Sequence, residues 1–322
     1  MAKYSDIKGF TVQTVSSDPA ASVASTGSWS SGGSLNTGRG YAAAEGDIPA
    51  SIYISGYSAT GAVAIVESYN GSSWTEVADV NSAKAAAASA GSYTAAIAFS
   101  GDTPAPNYST ENESWDGSSW TEVGDVNTAR YAGAGFGTQT AAFFVAGNDG
   151  STKVANVESW NGSAWTETTD VNTSRVALGG VGITTAGLVM GGWVNPPQSA
   201  GVANNESWNG SAWTEVADLN SARYAVGSSS TSSTDALVFG GYVSSPSSVT
   251  EFWNGTAWTE LNDLSTARNY SAGAGATSAT AIVAGNSANT TATEEWTTTP
   301  SALFKKTVEG QLFFNSTTNT FK

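Results

Sequence analysis

Short apolar runs broken by polar turns make up most of the chain, and the runs have the length and residue types of strands. In one stretch, Tyr131-Ala-Gly-Ala-Gly-Phe136 precedes a Gly137-Thr-Gln turn, and Thr140-Ala-Ala-Phe-Phe-Val-Ala146 closes at Gly147. A variable loop at 148–154 leads to Val157-Glu-Ser-Trp160, an Asn161-Gly162 turn and Ala164-Trp165-Thr-Glu167. Runs this short, rich in β-formers and bounded by Gly and Asn, predict four antiparallel strands. No window carries sustained apolar spacing at i, i+3, i+4, so helices are not expected. Asn-Gly predicts a two-residue type I′ hairpin, because both central residues of that turn need positive φ.

The same pattern recurs along the chain. Glu67-Ser-Tyr69-Asn-Gly-Ser-Ser-Trp74-Thr-Glu76 returns with small changes at 113–122, 158–167, 206–215 and 251–260. Its second aromatic is Trp74, Trp120, Trp165, Trp213 and Trp258, with Trp29 as a sixth; by subtraction the spacings are 45, 46, 45, 48 and 45. Ten positions after each stands a basic residue: Arg39, Lys84, Arg130, Arg175, Arg223 and Arg268. A glycine ends each second strand, at Gly56, Gly101, Gly147, Gly192, Gly241 and Gly285. A period near 45 residues marks a repeat architecture, and four strands per unit stacked radially make a β-propeller blade.

The first copy begins midway, with Trp29, and the last stops midway, at Glu294-Glu-Trp296. Joining these halves gives six blades, closed by pairing N- and C-terminal strands in one of them, which leaves no open edge. The expected fold is therefore all-β, a six-bladed propeller over 29–296. An N-terminal arm and linker (1–28) precedes it, and a C-terminal β-hairpin tail (297–322) follows.

The repeat resembles the Kelch motif: a glycine pair ending one strand, an aromatic on the next, a tryptophan on the fourth and an arginine opening the following blade. The glycine pair is complete only at Gly191-Gly192 and Gly240-Gly241; elsewhere Ser or Ala precedes a single Gly. The first aromatic is Tyr69, Trp115, Trp160, Trp208, Trp253 and Trp296. A WD-type propeller has a similar period, but its Gly-His and Trp-Asp signatures are missing.

Composition narrows the chemistry. With no Cys and no His among 322 residues, Ser-His-Asp and Cys-His catalysis, ordinary zinc sites and the copper chemistry of Kelch-like oxidases are excluded. No EF-hand-type loop suits calcium, so no metal or cofactor is expected. A net charge of −15 disfavours nucleic acid and anionic membrane surfaces. No apolar run is long enough for membrane insertion, and the N-terminus lacks the apolar core of an export signal. The expectation is a soluble chain.

The Glu-x-aromatic and Trp-Thr-Glu carboxylates recur in nearly every blade, whereas a catalytic pair is needed once. They read as solvated or Arg-paired strand ends, and no catalytic residue is assigned. The repeated Arg residues are expected to satisfy buried carbonyls or to pair with Asp125, Asp170, Asp218 and Asp263 five residues upstream. The alternative is a guanidinium ring at one channel mouth that binds an anion or sugar.

Specific binding is expected where the copies differ, on the loops after the repeat glycine. The candidate ligand residues are Asn107, Tyr108, Asn148, Asp149, Trp193, Asn195, Gln198, Tyr242 and Asn286. Trp193 lies outside the repeat positions, and exposed aromatics with Asn and Gln suit carbohydrate stacking; plugging its own loop is the other reading.

The tail segment Gly310-Gln-Leu312-Phe-Phe314-Asn315-Ser316 is similar to a short element of bacteriophage tail-fibre and other virion structural proteins. Together with the Ala/Ser-rich Kelch-like copies, this resemblance implies a non-enzymatic virion protein. It would be tail-associated and multi-copy, contacting other virion proteins and host cell-surface glycan. Two alternatives stand: a purely structural head, neck or tail component, and a bacterial extracellular Kelch-like lectin or glycan-processing enzyme.

Overall fold

The computed structural model describes residues 27–104, 108–194 and 201–298, and the backbone of 314–315 and 320–321. Six four-stranded antiparallel sheets form the blades of a β-propeller. Blade 1 contains Ala43–Asp47, Ala50–Ser58, Gly61–Tyr69 and Trp74–Glu76, in that order from the axis outward. Blades 2 to 5 repeat this plan, with innermost strands Ala88–Ser92, Ala134–Thr138, Gly179–Ile183 and Gly227–Ser232. Blade 6 takes three strands from Ala272–Thr298 and its outermost one, Gly27–Ser31, from the other end of the propeller segment. Trp29 lies opposite Trp296 there, so the two broken copies of the repeat complete one blade. The hairpin expected within 297–322 lies mostly outside the described residues; Phe314–Asn315 pairs with Thr320–Phe321.

The two aromatics of each copy have different tasks. The first holds its own blade: the Trp115, Trp160, Trp208, Trp253 and Trp296 indoles donate to the carbonyls of Tyr93, Gln139, Thr184, Ser233 and Ser278 in the turn between the inner strands. The second clamps the blade before it: Trp120, Trp213 and Trp258 donate to Ala78, Thr169 and Ala217, and Trp74 reaches Thr293 in blade 6. Burying these rings between sheets supplies the non-directional adhesion, and the indole N–H fixes the register.

The Asn-Gly turns differ from the two-residue type I′ hairpin expected. Trp160 pairs with Trp165, so the loop spans four residues. Gly162 alone takes positive φ (93°). The Asn161 side-chain oxygen accepts from the Ser163 and Ala164 amides at 3.0 and 2.9 Å. The side chain thus replaces the second left-handed residue as the turn former. Gly162→Ala is expected to lower stability by about 1 kcal/mol through that φ alone, read from a urea midpoint.

The repeated basic residues do not pair with the aspartates five positions upstream. Each meets the Glu of the Glu-x-aromatic in its own blade: Arg39–Glu67, Lys84–Glu113, Arg130–Glu158, Arg175–Glu206, Arg223–Glu251 and Arg268–Glu294. The aspartates have other partners: Asp170 and Asp263 accept the Val157 and Thr250 amides of the third strand. The arginines do satisfy buried carbonyls, as expected; Arg175 donates to Gly191 at 3.1 Å and Asn204 at 2.7 Å. All six cations are buried, so no guanidinium ring stands at a channel mouth. The Trp-Thr-Glu carboxylates opposite the buried glutamates face solvent.

A single hydrogen-bonded circle joins the blades at one end of the axis. The Tyr41 amide donates to the Tyr270 carbonyl, Tyr270 to Ala225, Ala225 to Ala177, Ala177 to Ala132, Ala132 to Ala86, and Ala86 back to Tyr41, all at 2.6–3.0 Å. Each of these residues stands two positions after a repeat basic residue and has φ between 50° and 55°. A left-handed non-glycine conformation is unfavourable in isolation and persists where its surroundings over-determine it. Here each residue is held by two bonds of the circle and by the buried ion pair just before it. The strand-ending glycines sit beside this circle. At Gly285 an added Cβ would lie 2.0 Å from the Arg39 carbonyl, so no other residue fits without backbone movement.

Candidate ligand face

Three sets of equivalent positions surround that circle. The innermost is the circle itself. One residue earlier come Gly40, Ala85, Tyr131, Val176 and Tyr224, and each pairs across to the residue after a strand-ending glycine: Tyr57, Asp102, Asn148, Trp193 and Tyr242. In blade 6 the corresponding residues are Asn269 and Asn286. Backbone symmetry therefore presents these side chains on one face, and the sequence fills many of the positions with aromatics.

The rings touch in a chain. Tyr41 stacks on Tyr270 at 4.0 Å between centroids and meets Tyr57 edge-on at 5.7 Å. Tyr224 is packed between Trp193 at 5.7 Å and Tyr242 at 5.4 Å, and meets Tyr270 edge-on at 6.3 Å. Tyr108 stacks on Tyr131 at 5.0 Å. All seven tyrosines are half-buried, and Trp193 is exposed at 37%. Among the described residues, Asp102 accepts a hydrogen bond from the Tyr57 hydroxyl, and the Lys153 Nζ lies 4.2 Å from the centre of the Trp193 ring.

The phenols are kept neutral. Burial, then the Asp102 hydrogen bond, pushes Tyr57 up to about 12. Burial likewise raises Tyr41, Tyr131, Tyr224 and Tyr270, with neighbouring phenols adding to it; Tyr270 has Tyr41, Tyr224 and Tyr131 around it. The face thus offers neutral hydroxyls, able to donate and accept, on wide apolar rings.

Of the sequence-derived candidates, Tyr108, Trp193 and Tyr242 belong to this array. Asn148, Asp149 and Asn286 lie in the loops around it, with side chains bonded to their own backbone. Asn148 accepts from Gly150, Asp149 from Ser151 and Thr152, and Asn286 from Ala288 and Thr290. Those amide bonds hold the Asp149 carboxyl below its usual range. Asn107, Asn195 and Gln198 lie outside the described residues. Sequence reading missed Tyr41, Tyr57, Tyr131, Tyr224 and Tyr270. Their signal was positional: Tyr41, Tyr131, Tyr224 and Tyr270 stand one or two residues after the repeat Arg, where other copies carry Gly, Ala, Val or Asn, and Tyr57 stands one after the repeat Gly, where other copies carry Asp, Asn, Trp or Tyr.

Two cavities lie along the axis. One of about 100 Å³ opens at the centre of the aromatic face, lined by Tyr41, Ala86, Ala132, Ala177, Ala225 and Tyr270 among others. The second, about 180 Å³, runs between the inner strands and is lined by small residues; Glu45 is its one ionisable side chain. The Ser89 hydroxyl donates to Glu45 at 2.7 Å, and burial pushes the Glu45 carboxyl up to about 7. Among the described residues no group of three acidic side chains converges as a metal site. The chain matches no protein-family model and no curated protein.

Proposed function

We propose that the protein is a non-enzymatic adhesion component of a bacteriophage virion, a Kelch-like propeller carried on the tail that binds host cell-surface glycan through its aromatic face. The observation that carries the binding reading is the tyrosine and tryptophan array around the axis, where Tyr41, Tyr224 and Tyr270 fill positions that are Ala, Gly, Val or Asn in other copies and pack with Trp193 and Tyr242 from the variable loops. Pyranose faces pack on such rings while phenol hydroxyls bond sugar hydroxyls. The virion reading rests on the near-verbatim Ala/Ser-rich copies and on the tail segment at 310–316, similar to phage structural elements. The face suits repeated weak contacts, and many copies on one particle would turn modest affinity into firm attachment.

Binding of the full chain to a glycan panel and to host cells tests this. Trp193→Ala and Tyr224→Ala are each expected to weaken binding about tenfold, equivalent to ~1.4 kcal/mol, with folding unchanged. A virion reconstruction with this face packed against another virion protein would overturn the adhesion reading. Turnover of any bound glycan would overturn the non-enzymatic one.

A further inference from the structure

Resting on that reading, we infer that the axial pit of the aromatic face takes the acetamido group of an uncharged N-acetylated hexosamine, with the pyranose lying outside against the Trp193–Tyr224–Tyr242 row. The pit volume is about 100 Å³. That is room for several water-sized groups, ample for a methyl and its amide. The pit is lined by Ala86, Ala132, Ala177 and Ala225 and by Ser271, whose hydroxyl has no partner among the described residues, and the backbone N–H groups of the four alanines are already engaged in the closed circle. A methyl with its adjoining amide therefore meets small apolar side chains and one unpartnered hydroxyl, whereas a charged group would be desolvated without a counter-ion, since no ionisable side chain lines this pit other than its phenols.

Three further observations narrow the ligand. An aromatic cage for an ammonium group needs free ring faces. Tyr41 and Tyr270 spend theirs on each other, stacked at 23° between planes. Anionic sugars are disfavoured by the net charge of −15 and by Asp102 on the same face, where Lys153 is the cation among the described residues. Tyr224 immediately precedes Ala225 of the pit wall and is flanked by Trp193 and Tyr242, so a ring resting on that row carries its substituent over the pit.

The test is binding of the full chain to matched oligosaccharides: N-acetylhexosamine, the corresponding hexose, the de-N-acetylated amine, and a sialylated form. The N-acetylated form is expected to bind at least about tenfold more tightly than each of the others. Ala132→Leu fills the pit and should abolish that preference while weak hexose binding remains. Because Ala132 sits at a left-handed position, Ala42→Leu, which lines the pit with ordinary backbone geometry, provides a second variant. Near-equal binding of hexose and N-acetylhexosamine, or a preference unchanged in both folded variants, overturns the pit assignment and leaves the aromatic face standing. Tighter binding of the amine or the sialylated form overturns it in favour of a charged ligand. Absence of binding to any glycan overturns both proposals.

Discussion

Glu206→Ala is expected to lower the stability of the folded chain by about 3–5 kcal/mol, the range for removing one partner of a buried ion pair. Arg175 is fully buried, and its guanidinium donates to Glu206 at 2.5 Å. Burial pulls this guanidinium below its ordinary value and the Glu206 charge opposes that, so alanine leaves a buried cation without its anion. The carboxylate also accepts the Asn172 amide at 2.6 Å, the Asn172 side chain at 2.7 Å and the Thr173 amide at 3.2 Å. Losing Glu206 therefore frees the segment that leads into the closed circle at Ala177. The double variant Arg175→Met/Glu206→Leu is expected to recover part of the loss, because no charge is then stranded, but not all of it, because the amides stay unpaired. Urea denaturation of wild type and both variants, fitted by linear extrapolation, measures these differences. A single variant within about 0.5 kcal/mol of wild type would show that the pair does not hold the blade.

The same arrangement explains what was legible in the sequence. Trp spacing near 45 residues and the half-copies at Trp29 and Trp296 were enough for six blades and for a shared last blade, since each depends only on periodicity. The partner of each Arg was not legible by proximity. Asp170 is five residues from Arg175 in sequence, and Glu206 is thirty-one away yet faces it across the blade. That Glu and a basic residue, Arg or Lys, recur together in every copy was the available signal. The candidate ligand face was half legible. Trp193 and Tyr108 stood out because their loops vary, whereas Tyr224 and Tyr270 sat inside what read as an inner strand, and only the closed circle shows that this stretch turns toward the axis mouth. The turn type was misread because Asn161 forms the turn with its side chain, a choice that the Asn-Gly pair alone does not specify.

Glu45 gives the second large effect, a dependence of stability on pH. Its carboxyl sits at about 7 in the folded chain against 4.5 for the ordinary group, with burial the leading cause and the Ser89 hydrogen bond pulling the other way. Between those values the folded state holds a proton that the unfolded state has released. Stability contributed by this group is therefore full below about pH 4.5, falls as pH rises, and levels off above about pH 7. At 1.36 kcal/mol per pKa unit the loss is on the order of 2–3 kcal/mol, the lower figure allowing for the water that reaches this side of the cavity. Glu45→Gln keeps an acceptor for Ser89 and removes the charge. It is expected to match wild type near pH 4.5 and to exceed it by that amount at pH 8. The other carboxylates titrate identically in both proteins, so the difference between their urea midpoints from pH 4.5 to 8.5 isolates this one group. Parallel curves would place Glu45 in ordinary solvent. Diverging curves would mean that the propeller carries, on its own axis, a carboxyl held neutral by folding and charged only at the expense of the blades around it.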